Sequence, residues 1–156
     1  MGTEIERKFL VEGEAWRDAV RDTVAIEQGY MRALDATIRV RIAGERGIFT
    51  VKGATLGVTR GEWEWEIPSR DARELLDTFC AGRRIAKVRH TVWFAEHAWV
   101  VDVFEGENDG LVMAEIELDA EDEAFDVPPW AGAEVSGDTR YYNSNLATAP
   151  YVTWGT

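Results

Sequence analysis

The chain has 156 residues, with 17 Lys+Arg against 29 Asp+Glu for a net charge of −12, and 46% of it is hydrophobic. That is enough apolar matter for one packed core and one domain spanning residues 1–156, and it excludes a disordered chain. No stretch is apolar enough to span a bilayer, the single Cys80 excludes a disulfide framework or a cysteine-based zinc cage, and the acidic balance disfavours nucleic acid and anionic membranes as partners while leaving room for a locally basic pocket.

Taken in chain order, strict alternation of apolar and polar residues predicts strands at Glu4–Val11, Thr37–Ile42, Ile48–Lys52, Glu62–Ile67, Ile85–Phe94, Trp99–Phe104 and Val112–Asp119. A weaker pattern predicts an eighth around Ile26–Arg32. Turn residues separate them, at Ala43-Gly44-Glu45-Arg46-Gly47, Gly57 and Glu107-Asn108-Asp109-Gly110. Helices are few. One is expected between Glu12 and Arg21, with Trp16, Ala19 and Val20 on a common face. A second carries the stripe Ala72, Leu75, Leu76, Phe79 and Cys80, with Ser69 as N-cap and a stop at Gly82. Asp138–Leu146 suits a short terminal helix after an irregular stretch around Pro128-Pro129 and Gly132. Such a chain is α+β, mainly β, or a closed barrel; a doubly wound parallel sheet would need a helix after nearly every strand. The residues up to Lys8 are charged and lack the apolar core of a signal peptide, so a cytoplasmic location is expected.

Residues two apart in a strand point to one face. Glu4, Glu6 and Lys8 therefore share a face, as do Arg39 and Arg41, Thr50 and Lys52, Glu62, Glu64 and Glu66, Lys87 and Arg89, and Glu115, Glu117 and Asp119, while Asp102 faces away from Val101 and Val103. A sheet with one wet face would account for alternation alone. It would not account for the sorting of charge by strand, three strands mainly acidic and three basic, because like charges on neighbouring positions repel. Nor would it account for the lysines: the chain has three, Lys8, Lys52 and Lys87, and all fall on these strands. Carboxylates are ligands of hard divalent cations such as Mg²⁺ or Mn²⁺, and guanidinium and ammonium groups hold phosphate oxygens. Both kinds of wall facing one space suit a metal-complexed polyphosphate.

Glu4-Ile-Glu-Arg-Lys8 resembles the Glu-x-Glu-x-Lys signature of the CYTH domain family, the triphosphate tunnel metalloenzymes. The resemblance continues in order through Gln28-Gly-Tyr30, Thr37-Ile-Arg-Val-Arg41, Thr50-Val-Lys52-Gly53, Glu62-Trp-Glu-Trp-Glu66, Lys87-Val-Arg89, Asp102, Ala114-Glu-Ile-Glu-Leu118 and Arg140-Tyr-Tyr-Asn-Ser-Asn145. It implies an eight-stranded antiparallel β-barrel forming a charged tunnel, with a few flanking helices. It also implies an enzyme that hydrolyses inorganic tripolyphosphate to diphosphate and phosphate, the activity chiefly associated with the short bacterial type. Family alternatives are a nucleoside or thiamine triphosphatase and a class IV-type adenylate cyclase, and the non-enzyme alternative is a polyphosphate-binding module.

Carried over residue by residue, the resemblance makes Glu4, Glu6, Glu115 and Glu117 metal ligands for Mg²⁺ or Mn²⁺, two ions in all, with Glu62, Glu64 and Asp102 as weaker candidates. Lys8, Arg39, Arg41, Lys52, Lys87 and Arg89 become triphosphate ligands, joined by Arg60 from a loop. Tyr30 and Lys87 match positions implicated in activating the attacking water. Ala86 and His90 depart from residues common elsewhere in the family, but alternation turns both outward. Arg7, Trp63 and Trp65 also read as outer-face residues, the tryptophans beneath helices, and exposed aromatics would allow a homodimer.

Overall fold

The computed structural model describes residues 2–155. Among the described residues are nine strands: β1 (Gly2–Val11), β2 (Val20–Met31), β3 (Thr37–Ala43), β4 (Arg46–Lys52), β5 (Thr59–Ile67), β6 (Arg84–Phe94), β7 (His97–Phe104), β8 (Val112–Glu117) and β9 (Ala131–Glu134). Helix α1 (Ser69–Phe79) follows β5, and α2 (Asn143–Leu146) lies near the C-terminus. All pairings are antiparallel, in the order β5-β4-β3-β2-β6-β7-β8-β1, and β1 pairs with β5 to close an eight-stranded barrel. Closure and packing leave both edges of β1 occupied. One edge meets β8, with Lys8 opposite Glu115; the other meets β5 from Gly2 to Ile5 and the short β9 at Phe9 and Val11.

Three apolar layers hold the ring. Outside, α1 lays Ala72, Leu76 and Cys80 on Val40 of β3, with Ile42, Phe49 and Ile67 around them. A Cβ on Gly29 would stand 2.6 Å from the Cys80 Cβ, so a glycine there lets the end of α1 approach β2. On the opposite outer surface Trp16, Trp99, Val101, Ile116 and Trp130 form a second layer under the segment joining β8 to β9. The third layer fills one end of the barrel: Tyr30, Ile85, Phe104 and Met113 meet Leu146 and Ala147 of the C-terminal segment. That end is therefore a floor, and the charged residues lie on the strands above it. Among the described residues no helix is long and apolar enough to cross a membrane.

Several expectations are corrected. The helix before β2 is one 3₁₀ turn, Ala15–Ala19, that buries Trp16 alone, and Val20 and Arg21 already belong to β2. The N-cap of α1 is Pro68, whose carbonyl accepts the Ala72 N–H; Ser69 is the first helical residue and makes no cap. The terminal helix is split into a 3₁₀ turn at Thr139–Tyr141 and the four-residue α2. β9 lies in the stretch expected to be irregular, and Arg60 sits in β5, not in a loop. Trp65 is 53% exposed and tilts against Phe49 rather than lying beneath a helix. Arg7 points outward and pairs with Glu134, and His90 meets Thr23 Oγ1 at 2.9 Å on the outer face.

Candidate active site

Closing the ring sorts the charges into two walls. Adjacent strands β8, β1 and β5 bring Glu115, Glu117, Glu4, Glu6, Glu62 and Glu64 to one side. Across the cavity, β4, β3 and β6 bring Lys52, Arg39, Arg41, Lys87 and Arg89. The cavity between them has a volume of about 210 Å³. All the expected site residues line it except Asp102, which is buried in the wall behind Lys87 and Arg89. Glu117 is the most exposed of the four glutamates expected to hold metal.

The acidic wall is held by interleaved cations. Lys8 Nζ lies 3.1 Å from Glu6 and 3.4 Å from Glu115, and Lys52 Nζ lies 2.8 Å from Glu4 Oε2 and 3.5 Å from Glu62. Arg60 Nε approaches the same Glu4 oxygen at 3.5 Å. Burial opposes a charge on Lys8, but Glu115, Glu6 and Glu4 outweigh it and hold the ammonium above its usual pKa. Glu4 Oε2 is close to Lys52 yet off the hydrogen-bonding axis: Lys52 bonds instead to Oε1 at 3.2 Å, leaving Oε2 a buried oxygen with no donor. Burial, together with Glu4, Glu62 and Glu6, pushes the Glu117 carboxyl up, the signature of crowded negative charge. Among the described residues, no group of three acidic or imidazole side chains already converges as a metal cage.

The basic wall is under-compensated. Arg41 is 9% exposed, and its Nε donates to Gln28 Oε1 at 2.9 Å; no carboxylate lies within ion-pair distance among the described residues. Burial and the like charges of Arg39 and Arg89 push its pKa down to about 9. Arg39 reaches Glu64 only at 3.4 Å, and its Nε is a buried donor without a partner. Asp102, 1% exposed, accepts Arg89 Nε and Nη2 at 2.8 and 2.9 Å and Lys87 Nζ at 2.7 Å. Burial works against that carboxylate, but Arg89 and Lys87 hold it well below its ordinary range. Lys87 is fully enclosed, and burial, with Arg89 and Arg41 nearby, pushes its ammonium down to about 7 despite Asp102.

Four lining residues escaped the sequence reading as site members: Thr37, Tyr142, Asn143 and Ser144. Asn143 Oδ1 accepts Lys87 Nζ at 2.9 Å, so the C-terminal segment reaches into the barrel. Gln28, read only as part of a motif, is fully buried beside Tyr30; shared strand parity was the available signal for it.

The CYTH domain family model matches residues 2–147. The chain is 46% identical over 152 residues to an inorganic triphosphatase of Acetivibrio thermocellus, covering 97% of each chain. It is 36% identical over 150 residues to an inorganic triphosphatase of Nitrosomonas europaea, covering 93% of this chain and 97% of that one. Its fold superposes on the crystal structure of an inorganic triphosphatase with a TM-score of 0.66 at 33% identity, covering 95% and 96% of the two chains. A closed barrel with paired acidic and basic walls, matched by the family model from β1 to α2, makes this chain a member of the CYTH domain family.

Proposed function

We propose that the chain is a metal-dependent triphosphatase that converts inorganic tripolyphosphate and water to diphosphate and phosphate. The carrying observation is the cavity with an acidic half, a basic half and a buried Arg41 guanidinium that meets no carboxylate among the described residues. A buried cation without an anion is costly, and an anionic ligand repays that cost. A volume of about 210 Å³ falls below the roughly 300 Å³ and more typical of pockets for drug-sized organic ligands, which favours an inorganic chain over a nucleotide. The similar proteins named inorganic triphosphatase support the same substrate.

Glu4, Glu6, Glu115 and Glu117 would hold Mg²⁺ or Mn²⁺, two ions, with Glu62 and Glu64 beside them. The donor set fits: all are hard carboxylate oxygens, Glu4 Oε2 accepts no hydrogen bond among the described residues, and Glu117 is crowded by Glu4, Glu62 and Glu6. When bound, the metal supplies phosphate charge neutralisation and a polarised water. Arg39, Arg41, Lys52, Arg60, Lys8 and Arg89 bind and orient the phosphates, stabilising charge on the transferring group. Lys87 Nζ takes a proton from the attacking water as the new P–O bond forms and the bridging P–O bond breaks. Asp102 serves as the buried counter-ion that orients Lys87 and Arg89.

The test is phosphate release from tripolyphosphate and from ATP, with Mg²⁺, Mn²⁺ or EDTA, for the parent and Glu4→Gln. Turnover of tripolyphosphate that needs metal and falls at least about 100-fold in Glu4→Gln is expected, given typical losses for groups acting at a transition state. Preferential turnover of ATP, or an unimpaired Glu4→Gln variant, refutes the reading.

A further inference from the structure

We propose that Gln28 is a positioning residue that turns the Tyr30 hydroxyl into a hydrogen-bond donor to the bound triphosphate, an assignment that rests on reading the cavity as a triphosphate site. The inference follows from a chain of donors and acceptors in the wall. Gln28 is fully buried on the inner face of β2, two residues from Tyr30. Arg41 Nε lies 2.9 Å from one end of its carboxamide. A guanidinium can only donate, so that end is the oxygen and the flipped amide is excluded. The amide nitrogen therefore faces Tyr30 Oη at 2.8 Å and Asn143 Oδ1 at 3.4 Å. Asn143 presents the same Oδ1 to Lys87 Nζ at 2.9 Å.

An amide nitrogen only donates. The Tyr30 oxygen must then accept from Gln28, and its own hydrogen has to point elsewhere. Among the described residues no protein acceptor receives it, and Tyr30 lines the cavity beside Lys8, Arg39 and Arg41. The phosphate-binding space is the remaining direction, and phosphate oxygens are acceptors. Burial pushes the phenol above its usual pKa, so it keeps that hydrogen. The family resemblance assigns Tyr30 to water activation; the Gln28 orientation assigns it to holding the substrate.

The experiment is a double-mutant cycle read by calorimetric binding of tripolyphosphate in EDTA, where metal-dependent turnover is absent. Tyr30→Phe keeps the ring in the floor and removes only the hydroxyl. It is expected to weaken binding about 10- to 100-fold, as for loss of a hydrogen bond to a charged group. Gln28→Glu still accepts from Arg41 but offers Tyr30 an acceptor, drawing its hydrogen away from the cavity. In that background Tyr30→Phe is expected to change affinity by less than about twofold, since the bond is already gone. A merely structural Gln28 gives the same Tyr30→Phe effect in both backgrounds, which overturns the inference. So does a Tyr30→Phe variant with parental affinity whose turnover loses its rise with pH, the behaviour of a base. Gln28→Met, an apolar near-isostere, serves if Gln28→Glu does not fold: the Tyr30→Phe effect shrinks at least about threefold, and an unchanged effect overturns the proposal. Parent protein that binds no tripolyphosphate in EDTA overturns this inference, as does binding without coupling; parent protein that also releases no phosphate from tripolyphosphate with Mg²⁺ or Mn²⁺ overturns the function it rests on.

Discussion

Replacing Arg41 by methionine tests whether the basic wall is built for an anionic ligand or for the fold itself. Arg41 is buried and meets no carboxylate among the described residues, and its pKa is pushed down to about 9. At about 1.36 kcal/mol for each pH unit, this depression penalises the charged form by something on the order of 5 kcal/mol. Methionine removes that penalty but strips Gln28 Oε1 of its donor, a buried acceptor whose loss costs about 1–3 kcal/mol. The balance is about 2–4 kcal/mol in favour of the variant without ligand. A chain of this size gains roughly 2–4 °C in melting temperature per kcal/mol, so a rise of about 4–16 °C is expected. The ligand response runs the other way. Tripolyphosphate at about 100 times its dissociation constant stabilises the parent by roughly 2.7 kcal/mol, and the Arg41→Met variant at the same concentration should show almost none of this. Differential scanning calorimetry with and without tripolyphosphate reads both numbers. A variant that melts lower than the parent, yet keeps the full ligand-induced rise, refutes the assignment of Arg41 to the substrate.

Turnover should depend on the neutral form of Lys87, whose ammonium is pushed down to about 7. Protonation below that value removes the acceptor, so kcat at saturating metal and substrate should fall about tenfold per pH unit on the acid side and level off above it; a profile flat from about pH 6 to 8 contradicts the role of Lys87 as base. Gly29→Ala should act on the fold alone, because its Cβ would meet Cys80 Cβ at 2.6 Å and Leu76 Cδ2 at 2.9 Å. Overpacking of this kind costs about 1–3 kcal/mol, a drop of several degrees in melting temperature, and a variant melting with the parent shows that α1 can yield there.

Strand parity made most of the barrel legible, because above the apolar floor inward positions carry charge while most outward ones are apolar. This two-residue code placed Glu4, Glu6 and Lys8 together before any pairing was known, and in the closed ring they share the cavity. It failed where burial is one-sided or the element is short. The first half of β2, Val20-Arg-Asp-Thr-Val-Ala25, is mostly exposed, so its alternation is faint and Trp16 pulled the helix reading forward. β9 has four residues including a glycine, and only its register with Phe9 and Val11 makes it a strand. The β6–β7 hairpin turns at Ala95-Glu96, both with positive φ, without the Asn-Gly or Asp-Gly pair that usually marks such a turn. Asn143 was invisible as a Lys87 partner because the contact spans 56 positions and belongs to a segment with no strand parity. Asp102 was legible as inward-facing, but its burial behind two cations depends on side-chain reach that periodicity does not encode.

The seam between β1 and β5 comprises four residue pairs, Gly2↔Glu62 through Ile5↔Thr59. Two members of the acidic half, Glu4 and Glu62, lie on it, and the ion pairs from Lys52 and Arg60 converge there. The buried residues of the three apolar layers lie elsewhere around the circumference. Parting these four pairs by local fluctuation would disturb Ile5 of the apolar layers and turn a tube into a trough. Ring closure and electrostatic pre-organisation thus share the same four pairs in this protein, so loosening the clasp loosens the pocket with it.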